Sequence, residues 1–263
     1  MRLFKYAMVT GASSGIGEAY SKLLASLGYD LIMIARRKDR LERLAGELGD
    51  KFGVSVAVLQ GDLCSDDDIS TIEGIIRDTP HLSVLINNAG FGTLGQFVEV
   101  DIGKSLNMIA LHVTAATRLT KAALPGMMAR REGTIVNVSS AAPFLPVSGN
   151  VIYNATKAYL ISFSESLQLE VEGAGIRVQA LCPGFTRTGF HSVEEYKSVD
   201  FSTIPSFLWM SPEKVAAQSW QAVGKKKVVF IPGFINRMTC TVFNGLFRYL
   251  ARKRSAMPPA RRT

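Results

Sequence analysis

Residues 5–10, Lys5-Tyr6-Ala7-Met8-Val9-Thr10, make a short and mostly apolar run, and Gly11-Ala12-Ser13-Ser14-Gly15-Ile16-Gly17 follows at once. An amphipathic stretch comes next, with Ala19, Leu23, Leu24 and Leu27 at helical spacing, and it stops at Gly28. A strand that runs through a glycine turn into a helix narrows the choice of folds sharply. Gly11 permits the tight turn, Gly15 lets backbone come close to a pyrophosphate, and Gly17 lets the helix pack near the strand. The helix start then offers free N–H groups and a positive dipole end to phosphate.

The alternation continues along the chain. Leu31, Ile32, Met33 and Ile34 form an unbroken apolar run within residues 29–35, which suits a strand buried on both faces. Leu41, Leu44, Ala45 and Leu48 make one apolar helix face, and further strands are expected at 54–59, 84–87, 134–138 and 177–181. Strands alternating with helices predict an α/β fold: a single-domain, doubly wound parallel sheet of the Rossmann type. Residues 1–232 are expected to form one dinucleotide-binding and catalytic domain, and residues 233–263 a basic amphipathic C-terminal extension. A length of 263 residues suits one domain, and the chain has no internal repeat. The first strand begins almost at once, which leaves no room for a signal peptide. No apolar run approaches the roughly 18 residues of a membrane span. Cys64, Cys182 and Cys240 are odd in number and widely spaced, which predicts free thiols in a reducing, cytoplasmic setting. His81, His112 and His191 are scattered, and no metal site is expected.

Tyr153 and Lys157 stand four apart in Tyr153-Asn154-Ala155-Thr156-Lys157, so a helix puts both on one face. A phenol titrates at roughly 10 in water, and an ammonium beside it favours the phenolate. Such a pair can pass a proton to or from an oxygen atom. Ser140, at the end of an apolar run, can hydrogen-bond the same oxygen. Three such groups around one oxygen suit the interconversion of an alcohol and a carbonyl.

Over roughly residues 4–232 the chain resembles the short-chain dehydrogenase/reductase family. Four signatures stand in family order: Thr10-Gly11-x-x-x-Gly15-x-Gly17, Asn87-Asn88-Ala89-Gly90, Ser140 with Tyr153-x-x-x-Lys157, and Pro183-Gly184 with Thr188. The resemblance implies a doubly wound parallel sheet and hydride transfer with a nicotinamide cofactor. It makes Tyr153 the acid–base, has Lys157 hold the nicotinamide ribose and lower the tyrosine pKa, and has Ser140 orient the substrate oxygen. Ser139 is the neighbouring candidate, but the spacing to Tyr153 favours Ser140. The implied cofactor contacts are Gly11, Ser13, Ser14, Gly15, Ile16, Gly17, Asp62, Leu63, Asn88, Ala89, Gly90, Tyr153, Lys157, Pro183, Gly184, Thr186 and Thr188. One departure stands out: the family often carries an Asn where this chain has His112. That histidine reads either as a titrating proton relay near neutral pH or as a packed helix residue.

An NAD site usually has an acid after the second strand to hold the ribose hydroxyls. Here the chain reads Ala35-Arg36-Arg37-Lys38. A guanidinium binds a 2′-phosphate where an acid would repel it, so Arg36 and Arg37 predict NADP(H) in preference to NAD(H).

The net charge of +8 is uneven. From Lys225 to the end there are ten Lys and Arg and no acid, which leaves residues 1–224 at −2. Ile235, Met238, Val242, Leu246, Tyr249 and Leu250 fall on one helical side, with Arg237, Arg248 and Arg252 nearby. This segment reads either as a helix packed on the core or a partner subunit, or as a peripheral contact of residues 234–263 with anionic membrane. Nucleic-acid binding lacks a motif. After Pro183-Gly184 the resemblance implies a segment that covers the substrate, here residues 185–212, which are rich in Phe and other apolar side chains, among them Val193 and Tyr196. An apolar cover of this kind, with 141–145 opposite, suits an apolar substrate and helps exclude water. The expectation is an NADP(H)-dependent oxidoreductase, most simply a carbonyl reductase, for a lipid-like, steroid or long-chain acyl substrate, and the resemblance implies a homo-oligomer (dimer or tetramer). The rivals are a non-catalytic NADP(H) sensor or scaffold and a membrane-surface protein acting through its tail.

Overall fold

Strands form where apolar runs allow both faces to be covered. The computed structural model describes residues 5–145, 148–192 and 200–241. Seven strands pair in the order β3-β2-β1-β4-β5-β6-β7, every pair parallel. They are β1 (Tyr6–Thr10), β2 (Asp30–Ala35), β3 (Val56–Gln60), β4 (Leu82–Asn87), β5 (Gly133–Val138), β6 (Ile176–Leu181) and β7 (Val229–Phe230). The helices between them are α1 (Gly15–Ser26), α2 (Lys38–Phe52), α3 (Asp66–Asp78), α4 (Ile102–Ile109), α5 (Ala116–Arg130), α6 (Val151–Val171) and α7 (Pro212–Gly224). The strand order reverses between β1 and β4, and in an open α/β sheet the crevice at that reversal is where ligands bind.

Alternation along each strand divides the apolar side chains between two cores. Ala7, Val9, Leu31, Met33 and Val136 face the layer that contains α1, α2 and α7. Met8, Ile32, Ile34, Leu85 and Ile135 face the layer of α3, α5 and α6. Helix boundaries follow local chemistry. Ser65 caps α3 by accepting from the Asp68 N–H, with Asp66, Asp67 and Asp68 in the positive first turn. Ser211 caps α7, and Pro212 takes the first helical position. Leu41, Leu44 and Leu48 bury one stripe of α2, which ends where Gly53 turns left-handed at φ 63°.

Three features differ from the sequence expectation. Pairing of β3 starts at Val56 rather than at 54, where the Ser55 N–H is taken by the Asp30 side chain at 2.8 Å as the chain enters the sheet. The two-residue strand β7 is too short to leave an alternation. The helix through α4 and α5 is also interrupted by a π-helical segment, Ala110–Ala115. Val193 and Tyr196 of the expected cover lie outside the described residues, as do Val242, Leu246, Arg248, Tyr249, Leu250 and Arg252 of the tail pattern. The chain is helical at 234–241. There Asn236 and Cys240 are buried, while Phe234, Ile235 and Met238 are exposed. No helix among the described residues is long and apolar enough to cross a membrane.

A buried polar chain fastens α1 to α7 and β6. The Tyr20 hydroxyl donates to Ser219 Oγ at 2.5 Å, and Ser219 donates to Gln179 Oε1. Tyr20→Phe should lower unfolding stability by about 1 kcal/mol without changing the denaturant m-value. Urea denaturation of the two proteins would check this.

Candidate active site

The ends of β1 and β4 are joined before any ligand is considered. Thr10 Oγ1 accepts the Asn88 and Ala89 N–H groups at 2.9 and 3.0 Å and donates to the Ile86 carbonyl at 3.2 Å. Asn88 Nδ2 donates to the Thr10 carbonyl at 2.8 Å. Gly11 and Gly15 take φ values of 65° and 62°, which a side chain would strain. A Cβ on Gly17 would lie 2.4 Å from the Gly11 carbonyl oxygen, so the close approach of α1 to the strand end requires glycine. The Ser14 side chain leaves the first N–H groups of α1 uncapped, a cradle suited to an anion.

Arg37 reaches this cradle. Its Nη2 donates to Ser13 Oγ and Ser14 Oγ, both at 2.8 Å. Partial desolvation, then the charge of Arg40, lowers its pKa, with Arg36 adding in the same sense. A bound anion would relieve such crowding of cations. Arg36 is different: its described hydrogen bond is made by its carbonyl, which accepts from Gln60 Nε2 at 3.2 Å. Asp62 Oδ1 accepts the Cys64 N–H at 3.0 Å, and Leu63 is buried beside it.

Ser140, Tyr153 and Lys157 come together at the carboxyl end of β5. Ser140 neighbours the Tyr153 phenol and acts to lower its pKa, while its Oγ accepts the Ala142 N–H at 3.1 Å. Ser139 turns the other way, and its Oγ donates to the Lys157 carbonyl at 2.7 Å. Lys157 is 5% exposed, and its Nζ donates to the Val138 carbonyl at 2.9 Å. An ammonium has three donors, so Nζ retains capacity toward ribose hydroxyls. The Lys157 Nζ lies 5.8 Å from the centre of the Tyr153 ring.

The electrostatics correct one expectation. Burial pushes the Tyr153 phenol up from its ordinary value, and Ser140 only partly opposes this. Burial also pulls Lys157 down to about 7. Burial thus favours the neutral form of Lys157, and burial rather than the neighbouring ammonium sets the direction of the phenol's shift in the protein alone. Desolvation outweighs proximity for both groups.

His112 sits in the π segment and is 1% exposed. Its Nε2 accepts the Phe91 N–H at 3.2 Å, and its Nδ1 lies 3.0 Å from Thr156 Oγ1. Burial, and then the charge of Lys157, hold its pKa well below the ordinary histidine range. Burial therefore favours the neutral imidazole, which argues against the neutral-pH relay and for the packed reading.

The segment after β6 closes onto the same place. Gly184 abuts Asn236, whose Nδ2 would lie 2.8 Å from an added Cβ. Thr186 Oγ1 donates to the Gly184 carbonyl at 3.0 Å, and Met210 pairs with the backbone of Phe185 and Arg187. The Thr188 methyl packs on Gly15, at 3.0 Å from where a Cβ would stand. Phe190 meets Tyr153 with ring centres 6.0 Å apart, whereas Phe185, Trp209 and Phe201 pack on one another. Phe190 therefore belongs to the site, and the other three anchor the cover. Sequence reasoning did not single out Thr156 or Phe91. It also missed the buried ladder of Asn87, Asn137 and Ser164 beneath the site, although an Asn inside an apolar strand was a visible signal. Among the described residues no three His, Cys, Asp or Glu side chains cluster to hold a metal, and the three cysteines are free.

A reversed parallel sheet with a glycine cradle and a Ser–Tyr–Lys cluster at the reversal defines a nucleotide-binding α/β oxidoreductase. Residues 5–197 match the family described as short chain dehydrogenase, and the chain belongs to that family. It is 33% identical over 228 residues to the very-long-chain 3-oxoacyl-CoA reductase of Anas platyrhynchos, covering 83% of this chain and 69% of that protein. The structure of a short-chain dehydrogenase from Sphingobium yanoikuyae in complex with NADPH matches with a TM-score of 0.83 at 33% identity, over 99% of both chains. A bulky-bulky ketone specific alcohol dehydrogenase from Comamonas testosteroni matches with a TM-score of 0.80 at 31% identity, over 100% of this chain and 98% of that one.

The depressed Lys157 pKa has a stability consequence. The unfolded chain keeps this ammonium to about pH 10, whereas the folded chain gives it up near 7. The folded state binds fewer protons between those values, so stability rises with pH across the window, and the cost is fully present below pH 7. Lys157→Met should be more stable than the parent by about 1–3 kcal/mol at pH 6–7, a gap that closes toward pH 10. Urea titrations across that range would show it.

Proposed function

We propose that the protein is an NADP(H)-dependent oxidoreductase that interconverts a bulky apolar ketone or aldehyde with its alcohol, working as a carbonyl reductase. The gathering of Ser140, Tyr153 and Lys157 at the carboxyl end of β5, with Lys157 Nζ 5.8 Å from the Tyr153 ring and the glycine cradle alongside, carries this reading. The bound cofactor supplies or accepts the hydride. Ser140 donates to the substrate oxygen and orients it. Tyr153 holds its proton at neutral pH because burial raises its pKa, so the resting phenol is the form that can donate to an oxygen gaining negative charge. Lys157 would hold ribose hydroxyls with its remaining donors and, with a pKa of about 7, can exchange protons at working pH. The cradle of Gly11, Gly15 and Gly17 would take the pyrophosphate. Asn88, Ala89, Gly90, Pro183, Gly184, Thr186 and Thr188 would line the nicotinamide side, and Asp62 and Leu63 the adenine side.

Arg37 supports NADP(H) over NAD(H), since it already bridges the two serines of the cradle and a 2′-phosphate offers it stronger, charge-assisted partners. Phe190 against Tyr153 supports an apolar substrate. The bulky-ketone and 3-oxoacyl activities named for the relatives point in the same direction. Ile102, Leu106 and Ile109, exposed along α4 at helical spacing, support a homo-oligomer. For the tail, burial of Asn236 and Cys240 supports packing on the core. Exposed Phe234, Ile235 and Met238 favour, as a second reading, peripheral contact of 234–263 with anionic membrane.

NADPH and NADH oxidation should be measured against acetone, cyclohexanone, acetophenone, a 3-ketosteroid and a long-chain 3-oxoacyl-CoA. Turnover with NADPH should favour the bulky compounds and fall by about 10²–10⁴-fold in Tyr153→Phe with NADPH binding retained. Unchanged turnover in that variant would end the proposed mechanism. Arg37→Glu should weaken NADPH affinity by about 10- to 100-fold and leave NADH near the parent value. Fluorescence titration would check this, with Arg36→Asp having the smaller effect.

A further inference from the structure

We propose that His112 is a positioning residue: its imidazole clamps the loop after β4 to the turn of α6 that carries Tyr153, and so fixes where the phenol stands. This rests on the reading of Tyr153 and Lys157 as the reacting pair.

The hydrogen bonds permit only one sense. The Phe91 N–H is a donor and points at Nε2, so Nε2 carries no proton. A neutral imidazole then keeps its proton on Nδ1, and Nδ1 donates to Thr156 Oγ1 at 3.0 Å. Thr156 Oγ1 passes its own hydrogen to the Tyr153 carbonyl at 3.0 Å. The chain of donors runs from Phe91 through His112 and Thr156 to the backbone of Tyr153. His112 and Thr156 are 1% and 3% exposed, so water does not substitute for either partner.

The clamp joins two walls of the site. Phe91 follows Asn88-Ala89-Gly90, the loop held at its other end by Thr10. Thr156 lies in the helical turn between Tyr153 and Lys157. A Cβ on Gly90 would stand 2.7 Å from His112 Nε2 and 3.5 Å from Lys157 Nζ, so the ring is seated against bare backbone. The π segment Ala110–Ala115 shifts the helix register around His112, and such bulges recur at functional sites. Adding a proton to Nε2 would set it against the Phe91 N–H, with the Lys157 ammonium and the Tyr153 ring as the other near groups. The arrangement therefore serves position and does not relay protons.

Two measurements test this. The first needs no turnover: ¹⁵N NMR of histidine-labelled protein should show His112 as the Nδ1–H tautomer, the minor form of a free imidazole, from about pH 8 down to about pH 5. Titration between those values, or an Nε2–H tautomer, would overturn the proposal. The second is kinetic, with the ketone that the panel selects. Thr156→Val should lower kcat about 10- to 100-fold with little change in NADPH affinity, and Thr156→Ser, which keeps the hydroxyl, should restore it. His112→Ala should cause a similar loss and add little to that of Thr156→Val, because both break one chain. Parent-level kcat in folded Thr156→Val, or fully additive losses in the double variant, would overturn the clamp. Turnover retained in Tyr153→Phe would instead remove the underlying reading, whatever the imidazole tautomer.

Discussion

The hydroxyl of Thr10 is the point on which the two halves of the site depend. One oxygen receives two successive N–H groups from the loop after β4 and gives its hydrogen to the carbonyl of Ile86. The glycine loop after β1 and the Asn-Ala-Gly loop after β4 are thereby held to each other at the strand reversal. Neighbouring parallel strands in this sheet type diverge into opposite layers at that point. Without a tie the ends would be free to splay. With it, Asn88 can fill the space under Gly17, and Gly90 can lie against His112 and Lys157.

From this junction the chemistry follows by burial. Lys157 is buried and Tyr153 half-buried among α6, β5 and the segment after β6, and desolvation moves both pKa values toward the neutral forms. A proton donor that keeps its proton suits the addition of hydride to a carbonyl, since the developing alkoxide is the stronger base. A lysine whose pKa burial pulls down toward neutrality suits replacement of that proton. Neither property belongs to the residue types themselves. Both arise because the fold removes water from around them.

Much of this was legible in the sequence. The strands announced themselves as unbroken aliphatic runs, and the glycine loop by its place between a strand and a helix. Tyr153 and Lys157 were visible because four-residue spacing is a local property of a helix. What escaped detection depends on distant parts of the chain meeting. Whether Arg36 or Arg37 faces the cradle is decided by the angle at which the chain leaves β2, and two adjacent arginines look alike in one dimension. The sign of the Tyr153 shift depends on enclosure, not on its neighbour in the helix. The tie from His112 to Thr156 spans 44 positions and needs a π turn that no propensity marks. Ser139 and Ser140 differ only in which face of the chain they occupy, and the structure separates them by partner.

The methyl of Thr188 rests on Gly15, so the segment after β6 also supplies a wall of the glycine cradle. Any change in residues 185–192 that shifts Thr188 therefore alters the glycine cradle as well. Pro183, whose carbonyl holds the Ala141 N–H, and Gly184, set against Asn236, fix where that shared wall begins.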